Sequence, residues 1–429
     1  VSKVPDSRFF VYRNGRLHCE AVELAAIARE VGTPCYIYSW NAIREAYKAI
    51  DRALADTKHG IAYAMKANSN IAILRRLSQL GCGADIVSGG ELARAMEAGM
   101  RPDSIVFSGV GKTDREIESA LAAGLRSIHA ESAAELDAIE GIAQRMGRPA
   151  PVSLRVNPDV DPKTHPYIAT GLKQSKFGVT IDVARELLPR ILGSKHLHFE
   201  GLACHIGSLI GTSTAVGQST EAVARLARDF KAAGAPIRTL DAGGGWPIAY
   251  GHEEREPEPY AAFGAAIRDG LTRAGAGLDE FELIVEPGRS IVGDAGVLLT
   301  QVIFTKQQAE KRFVIVDGAM TELLRPALYK AYHAIMPVLA PAADAPISPA
   351  DVVGPVCESG DFLALDRALP PLVRGDLMVL RGAGAYAACM ASTYNSRPRA
   401  AEVLVDGNQH HVIRRRERVE DLWRDEQMR

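Results

Sequence analysis

IAYAMKANSN, residues 61–70, runs directly into IAILRRLSQLG, residues 71–81. The first stretch reads as an apolar strand that ends on Lys66; the second repeats its apolar residues three or four apart, as an amphipathic helix does. The same couplet recurs along the chain. Eight β-rich runs are bounded by turn residues: 61–67, 84–88, 104–109, 126–131, 151–157, 199–206, 237–243 and 281–286. Helical patterns such as ELARAMEAG, REIESALAAG and TEAVARLARDFKAAG lie between them. Most of these helices stop at a glycine (Gly81, Gly99, Gly124, Gly234), the residue that best tolerates a left-handed helix end.

Eight strand–helix units within roughly 250 residues predict an α/β fold, a closed (β/α)8 TIM barrel rather than an open doubly wound sheet. The polar residues favour the same answer. Lys66, Asp85, Arg155, His205, Gly243 to Gly245 and Glu286 all fall at or just beyond the C-terminal ends of the strand runs. That is the face on which such barrels do chemistry.

Outside this stretch the pattern changes. FFVYRNGRLHC reads as a strand pair turning at Asn14-Gly15, and ELAAIAREVG as a small helix. Beyond residue 293, GVLLTQVIFTKQQ, KRFVIVDGA, ADVVGPVCES and DLMVLRGAGAYA read as strands, with a short helix near RPALYKAYH and a Pro/Ala-rich loop at 337–351. The expected organisation is a barrel over 36–292 and a mainly β domain, sandwich or barrel, formed by 1–35 and 293–429.

Composition bounds the function. The 429 residues are 47% hydrophobic and 24% charged with a net charge of −2, which implies no general attraction to nucleic acid or to an anionic membrane. Six scattered cysteines (19, 35, 82, 204, 357, 389) show no zinc spacing and predict reduced thiols. No metal site is expected. No apolar run approaches the ~20 residues needed to span a bilayer, and the N-terminus lacks the apolar core of a signal peptide, so a cytoplasmic location is expected.

Several short motifs carry chemistry, each with a bland alternative. A lysine at the end of a buried strand is often merely solvated, yet a half-buried amine sheds its proton readily and can form a Schiff base. DAGGGW (241–246) places Gly243, Gly244 and Gly245 after a strand, either as a tight turn or to bring backbone N–H groups to a phosphate. EPGR (286–289) holds Glu286, which facing a pyridine nitrogen would keep it protonated, and Arg289, which suits a phosphate or carboxylate; the alternative is an internal ion pair. CHIGS (204–208) offers His205, a core histidine or a ring to stack on a cofactor, and Ser208 as a phosphate donor. CESGD (357–361) puts Cys357 and Glu358 in a turn, the cysteine either inert or an acid. RPALYKAYH spaces Arg325, Tyr329 and His333 four apart, so one helical face carries all three, whether solvated or reading a substrate. Together with GAY (384–386), these motifs suit pyridoxal phosphate (PLP) and a small zwitterionic substrate.

In this order the motifs resemble the fold type III PLP decarboxylases, and among them the branch that acts on diaminopimelate. The match is carried by YAMKAN, GADIVSGGE, RVNP with KTHPYIATGLKQSKFG, HIGS, DAGGG, EPGR, VDGAMTELLRPALYKAYH, VVGPVCESGD and GAGAY, from about residue 60 to 395. The resemblance implies that Lys66 carries the cofactor and that Asp85, Arg155 and His205 line its ring. Ser208, Gly245, the backbone around Gly288, and Tyr386 would hold the phosphate, and Glu286 would face the pyridine nitrogen. Arg289, Arg325, Tyr329, Glu358 and Tyr386 would bind the substrate. Cys357 would come from the partner subunit of a homodimer whose active sites are shared. Trp246-Pro247 departs from the smaller pair expected after the glycines, which points to altered loop packing. A decarboxylase of another diamino acid, of the D-ornithine or D-lysine type, is the nearest alternative; a racemase or a non-catalytic PLP-binding protein is more distant.

Overall fold

The structure is a computed structural model that describes residues 7–161, 175–253 and 255–427. The chain divides into two compact units: one comprises Tyr47–Pro247 and Pro257–Ser290, the other Val1–Ala46, Ile248–Glu256 and Ile291–Arg429.

The first unit is a closed parallel barrel. Its strands are His59–Ala64, Gly83–Ile86, Ile105–Phe107, Ser127–Ala130, Ala150–Asn157, Leu197–Ala203, Thr239–Asp241 and Glu282–Val285. Each pairs in parallel with the next, and Glu282–Val285 returns to His59–Ala64 to close the ring. All eight runs expected from the sequence are present. Helices Ile71–Gln79, Gly89–Glu97, Asp114–Ala123, Ala133–Met146, Ile181–Gly193, Ser213–Ala232 and Tyr260–Arg273 separate them. Five of these start where a side chain can accept a free backbone N–H: Asn70, Ser88, Thr113, Ser132 and Thr180 each cap the helix that follows. Gly124 closes its helix in the left-handed conformation at φ 73°.

Strand register decides what the barrel presents at its C-terminal face. Arg155 pairs with Ala203, Ala203 with Asp241 and Asp241 with Ile284, while Ala64 pairs with Asp85. Asp85, Arg155 and Asp241 therefore lie toward the C-terminal ends of parallel strands at one mouth of the barrel, and the residues just past each strand end form its rim.

The second unit is mainly β. A three-stranded antiparallel sheet, Phe10–Arg13, Arg16–Cys19 and Val22–Glu23, turns at Asn14-Gly15, where both φ angles are positive (49° and 73°). A larger sheet runs in the order Phe362–Leu369, Ser348–Val353, Lys311–Val316, Gly296–Gln308, Cys35–Ser39, Ala401–Asp406, Gln409–Arg414, with Ile335–Pro337 and Leu377–Leu380 joined to it. Cys35–Ser39 pairs with Gly296–Gln308 and Ala401–Asp406, so the boundary expected at residue 36 cuts through a strand of this sheet. CYIYS is buried throughout and uncharged, and nothing within those five residues tells which sheet they join.

The helix near RPALYKAYH is shorter than its spacing predicts. It spans Arg325–Tyr329 and stops at Lys330, whose φ is 53°. His333 thus lies beyond the helix, not on one face with Arg325 and Tyr329.

Candidate active site

Lys66 stands two residues past a barrel strand, in a single turn Met65–Ala67. Its Nζ donates to Asp85 Oδ2 at 2.5 Å; Asp85 is fully buried and the lysine side chain 35% exposed. Burial pushes the Asp85 carboxyl up, but the Lys66 cation and its hydrogen bond outweigh this and hold it below the usual carboxylate range. The other oxygen, Oδ1, is buried with no hydrogen-bond partner among the described residues. The amine therefore sits at the open end of an anchored ion pair.

Glu286 follows the last barrel strand and is only 5% exposed. Burial, then the neighbouring carboxylates of Asp241 and Asp85, push its pKa well up against the opposing cations Lys66 and Arg155. Asp241 is likewise raised, to about 7, chiefly by burial. One Asp241 oxygen accepts the Gly243 N–H at 2.8 Å; the other meets no ordinary donor and faces the Glu286 carboxyl. The two carboxyls face each other, so ionising one raises the other, and burial lifts both above the usual carboxylate range. Ser108 Oγ donates to Glu286 Oε1 at 3.4 Å and lies 3.1 Å from His129 Nδ1. Burial first, against the attraction of Asp85, drops His129 to about 3, so it is neutral.

His205 is also neutral: burial and then the cations Lys66 and Arg155 lower it to about 3. Its Nδ1 accepts the Gly244 N–H at 3.1 Å, which fixes the tautomer with the proton on Nε2. Arg155 is held by Glu131 at 3.0 Å and lies over the Phe177 ring at 4.7 Å. Arg289, 6% exposed, donates to Ser208 Oγ at 3.1 Å, so a residue expected at the phosphate and one expected at the substrate touch each other.

The three glycines are required by close backbone approach. A Cβ on Gly243 would lie 2.4 Å from Cys204 O, one on Gly244 2.0 Å from Glu286 O, and one on Gly245 2.0 Å from Gly207 O. The N–H groups of Gly243 and Gly244 serve Asp241 and His205. Their first role is thus to let three strand ends meet, and in doing so they hold two side chains of the site. A Cβ on Gly288 would come within 3.0 Å of Ala67, which packs the EPGR turn against the lysine turn. Trp246 is turned into the protein, 1% exposed, with its ring against Phe263 (5.2 Å) and Tyr260 (5.9 Å). The departure after the glycines is absorbed by the following helix.

In the β unit, Arg325 is buried, 4% exposed, which rules out a solvated helix face. Tyr329 closes the same short helix and is half-buried. Cys357 and Glu358 are exposed in a turn held by Asp361, which accepts the N–H groups of Met320 (2.6 Å) and Val356 (2.7 Å), and by Asn395, which accepts that of Cys357 (2.7 Å). Tyr386 adopts φ 54°, a conformation that is uncommon for a bulky residue and marks a constrained position. KTHPYIATGLKQ, residues 163–174 of the motif at 163–178, lies outside the described residues.

Sequence reasoning missed Asp241, Ser108, His129 and Glu131. Each sits at a barrel strand end, and the rule that selected Lys66 and Glu286 would have found them.

A closed barrel with a half-exposed lysine and a buried glutamate at its C-terminal face fits a pyridoxal-dependent enzyme. The Asp85 oxygen that has no partner among the described residues, the buried Glu286 carboxyl, the flat neutral His205 and the Ser208–Arg289 pair all fit that cofactor. Residues 40–293 match the family described as pyridoxal-dependent decarboxylase, pyridoxal binding domain. The chain is 46% identical to the diaminopimelate decarboxylase of Neisseria meningitidis serogroup A over 96% of its own length and 98% of the relative's. Its structure resembles diaminopimelate decarboxylase of Helicobacter pylori complexed with L-lysine, with TM-score 0.88, 43% identity, and 94% and 98% of the two chains covered. It also resembles the M. jannaschii enzyme in co-complex with L-lysine, with TM-score 0.93, 33% identity and 98% of each chain covered. The chain belongs to the pyridoxal-dependent decarboxylases, on their diaminopimelate decarboxylase branch.

Proposed function

We propose that this protein removes CO2 from meso-2,6-diaminopimelate to give L-lysine, the last step of lysine biosynthesis. The observation that carries the reading is the strand-end Lys66–Asp85 pair beside the buried Glu286, with the buried Arg289 at the same barrel face for a substrate carboxylate.

Pyridoxal phosphate, when bound, supplies an electron sink for the bonding pair left behind by CO2. The chain's own residues do the rest. Lys66 tethers the cofactor, and Asp85 holds its nitrogen at the barrel mouth. Glu286 would face the pyridine nitrogen, where its carboxylate would stabilise a proton carried on that nitrogen and so keep the sink charged. His205, with Nδ1 committed to Gly244, keeps its ring plane fixed for stacking, and Glu131 holds Arg155 at the ring's edge. Ser208, Gly245, the backbone at Gly288, and Tyr386 bind phosphate. Arg289, Arg325, Tyr329, Tyr386 and Glu358 orient the substrate so that one end is anchored and the other cleaved.

The barrel unit, Tyr47–Pro247 and Pro257–Ser290, is the cofactor domain in this reading, and the β unit supplies further substrate contacts. Cys357 and Glu358 are exposed on an anchored turn, which suits residues that complete the site of a second copy; the working unit is then a homodimer with shared sites. Among the described residues no helix is long and apolar enough to cross a membrane. Six free cysteines fit a cytoplasmic setting.

The test is CO2 release from a panel of meso-diaminopimelate, D-ornithine, D-lysine and L-lysine. The reading requires release from meso-diaminopimelate, with L-lysine as product. Faster release from a mono-carboxylic diamino acid would overturn it.

A further inference from the structure

Arg325 is held in an unusual way. Its Nη1 lies 2.9 Å from Nε2 of His333, and its guanidinium lies over the Tyr250 ring at 4.6 Å. His333 is fully buried, and its Nδ1 lies 2.7 Å from the carbonyl oxygen of Arg381. A carbonyl only accepts, so Nδ1 carries the proton, and Nε2 is left as the acceptor that Arg325 needs. The Arg381 guanidinium is itself engaged by Asp294 at 2.8 Å. Tyr250 meets the His333 ring edge-on, with centroids 5.3 Å apart and planes at 83°. Room for Tyr250 comes from Gly382, φ 67°, where a Cβ would lie 2.8 Å from the tyrosine ring. The tyrosine's loop is closed by Glu253, which accepts the N–H groups of Tyr250 (2.6 Å) and Gly251 (2.8 Å).

Two contacts of different kinds hold this planar group. The imidazole holds one edge of the guanidinium, and the tyrosine ring covers one face. The rotation that Arg325 would otherwise have about its terminal bonds is removed before any ligand arrives. A planar fork that is already oriented binds a carboxylate through two parallel hydrogen bonds at less entropic cost.

We propose that His333, supported by Tyr250, is the positioning residue for Arg325, fixing its guanidinium plane so that it reads the distal carboxylate of the substrate. This rests on the assignment of Arg325 to that carboxylate. It makes His333 a determinant of substrate choice without contact with the substrate, and it explains why a buried histidine lies just past a helix too short to carry it.

Steady-state kinetics of the holoenzyme on meso-diaminopimelate tests this with Arg325→Ala, His333→Leu, His333→Gln, Tyr250→Leu and the double variant Arg325→Ala/His333→Leu. Glutamine offers both a donor and an acceptor where leucine offers neither. His333→Leu should raise KM about 10-fold with kcat little changed, the scale of a hydrogen bond to a charged group. His333→Gln should recover most of that loss, and the double variant should be no worse than Arg325→Ala alone. An unchanged KM in His333→Leu, beside a raised KM in Arg325→Ala, overturns the positioning role and leaves the Arg325 assignment standing. Multiplying effects in the double variant also overturn it, because His333 would then act elsewhere. An unchanged KM in Arg325→Ala refutes the assignment itself, and the positioning role falls with it. If His333→Leu fails to fold, the remaining variants decide. Tyr250→Leu should raise KM about 3-fold only when Arg325 is present, and an equal rise in the Arg325→Ala background counts against the proposal.

Discussion

Replacing Lys66 with alanine should destabilise the cofactor-free protein, and by an amount that grows with pH. Asp85 is fully buried and Lys66 is 35% exposed, so the pair is neither a surface bridge nor a sealed one. Breaking a fully buried pair costs about 3–5 kcal/mol, and an exposed pair is worth about 0–1 kcal/mol. The half-exposed lysine places this one between them, at about 2 kcal/mol. The sign follows from the two proteins separately. With Lys66 present, Asp85 sits below its unfolded value, so its stabilisation is complete above the ordinary carboxylate range and fades as pH falls through the folded value. Without Lys66, burial is the dominant remaining influence and lifts Asp85 above its unfolded value. The variant then loses stability as pH rises above about 4. The gap should be near zero at the lowest pH at which the fold survives, and widest at pH 7–8. Denaturant unfolding of the apo forms of wild type, Lys66→Ala, Asp85→Asn and the double variant measures it. The double variant should recover most of what Lys66→Ala loses, because no buried charge is left behind. A pH-independent gap, or a double variant as unstable as the two single losses added together, would refute the reasoning.

Two further outcomes are expected. Glu286→Gln should leave pyridoxal phosphate bound but lower kcat by about 10²-fold, since an uncharged amide cannot stabilise the protonated pyridine; near-normal turnover would remove Glu286 from the mechanism. Mixing inactive Lys66→Ala and Cys357→Ala under subunit exchange should restore about a quarter of wild-type activity, because about half the dimers are mixed and each mixed dimer has one intact site. If exchange is complete, as verified by a mass tag, and activity stays at the parental level, each site is built within one chain.

The barrel was legible because each of its units carries its own start and stop. Polar caps such as Asn70, Ser88 and Thr113 open the helices, glycines close them, and short apolar runs lie between. The strand-end rule found Lys66, Asp85, Arg155, His205 and Glu286 for the same reason, since topology alone places those positions on one face. It would equally have found Asp241, Ser108 and His129, which are hidden in sequence only because a strand-end aspartate or serine looks ordinary until its neighbours across the barrel are known. Asp241 matters through Glu286, 45 residues further along, and no local pattern states that.

The β unit was harder to read. Its sheet order joins strands distant in sequence, as when Cys35–Ser39 pairs with Ala401–Asp406. The four-residue spacing of Arg325, Tyr329 and His333 suggested a longer helix than exists, because propensity alone does not show the stop at Lys330. Arg325 and His333 meet all the same, through a left-handed residue and a loop rather than through helical periodicity. The triple glycine reads in sequence as either a tight turn or a set of N–H groups for a phosphate, whereas the tightest constraint on it is the backbone of the neighbouring strand ends.

The most direct test of the account is borohydride reduction of the yellow holoenzyme, followed by peptide mapping, with and without meso-diaminopimelate. Without substrate, the reduced pyridoxyl group should be fixed to the peptide containing Lys66. With saturating substrate, that label should fall sharply and appear instead on the free amino acid, because the substrate amine displaces the lysine. A label on a lysine other than Lys66, or a Lys66 label that substrate leaves unchanged, would contradict the account.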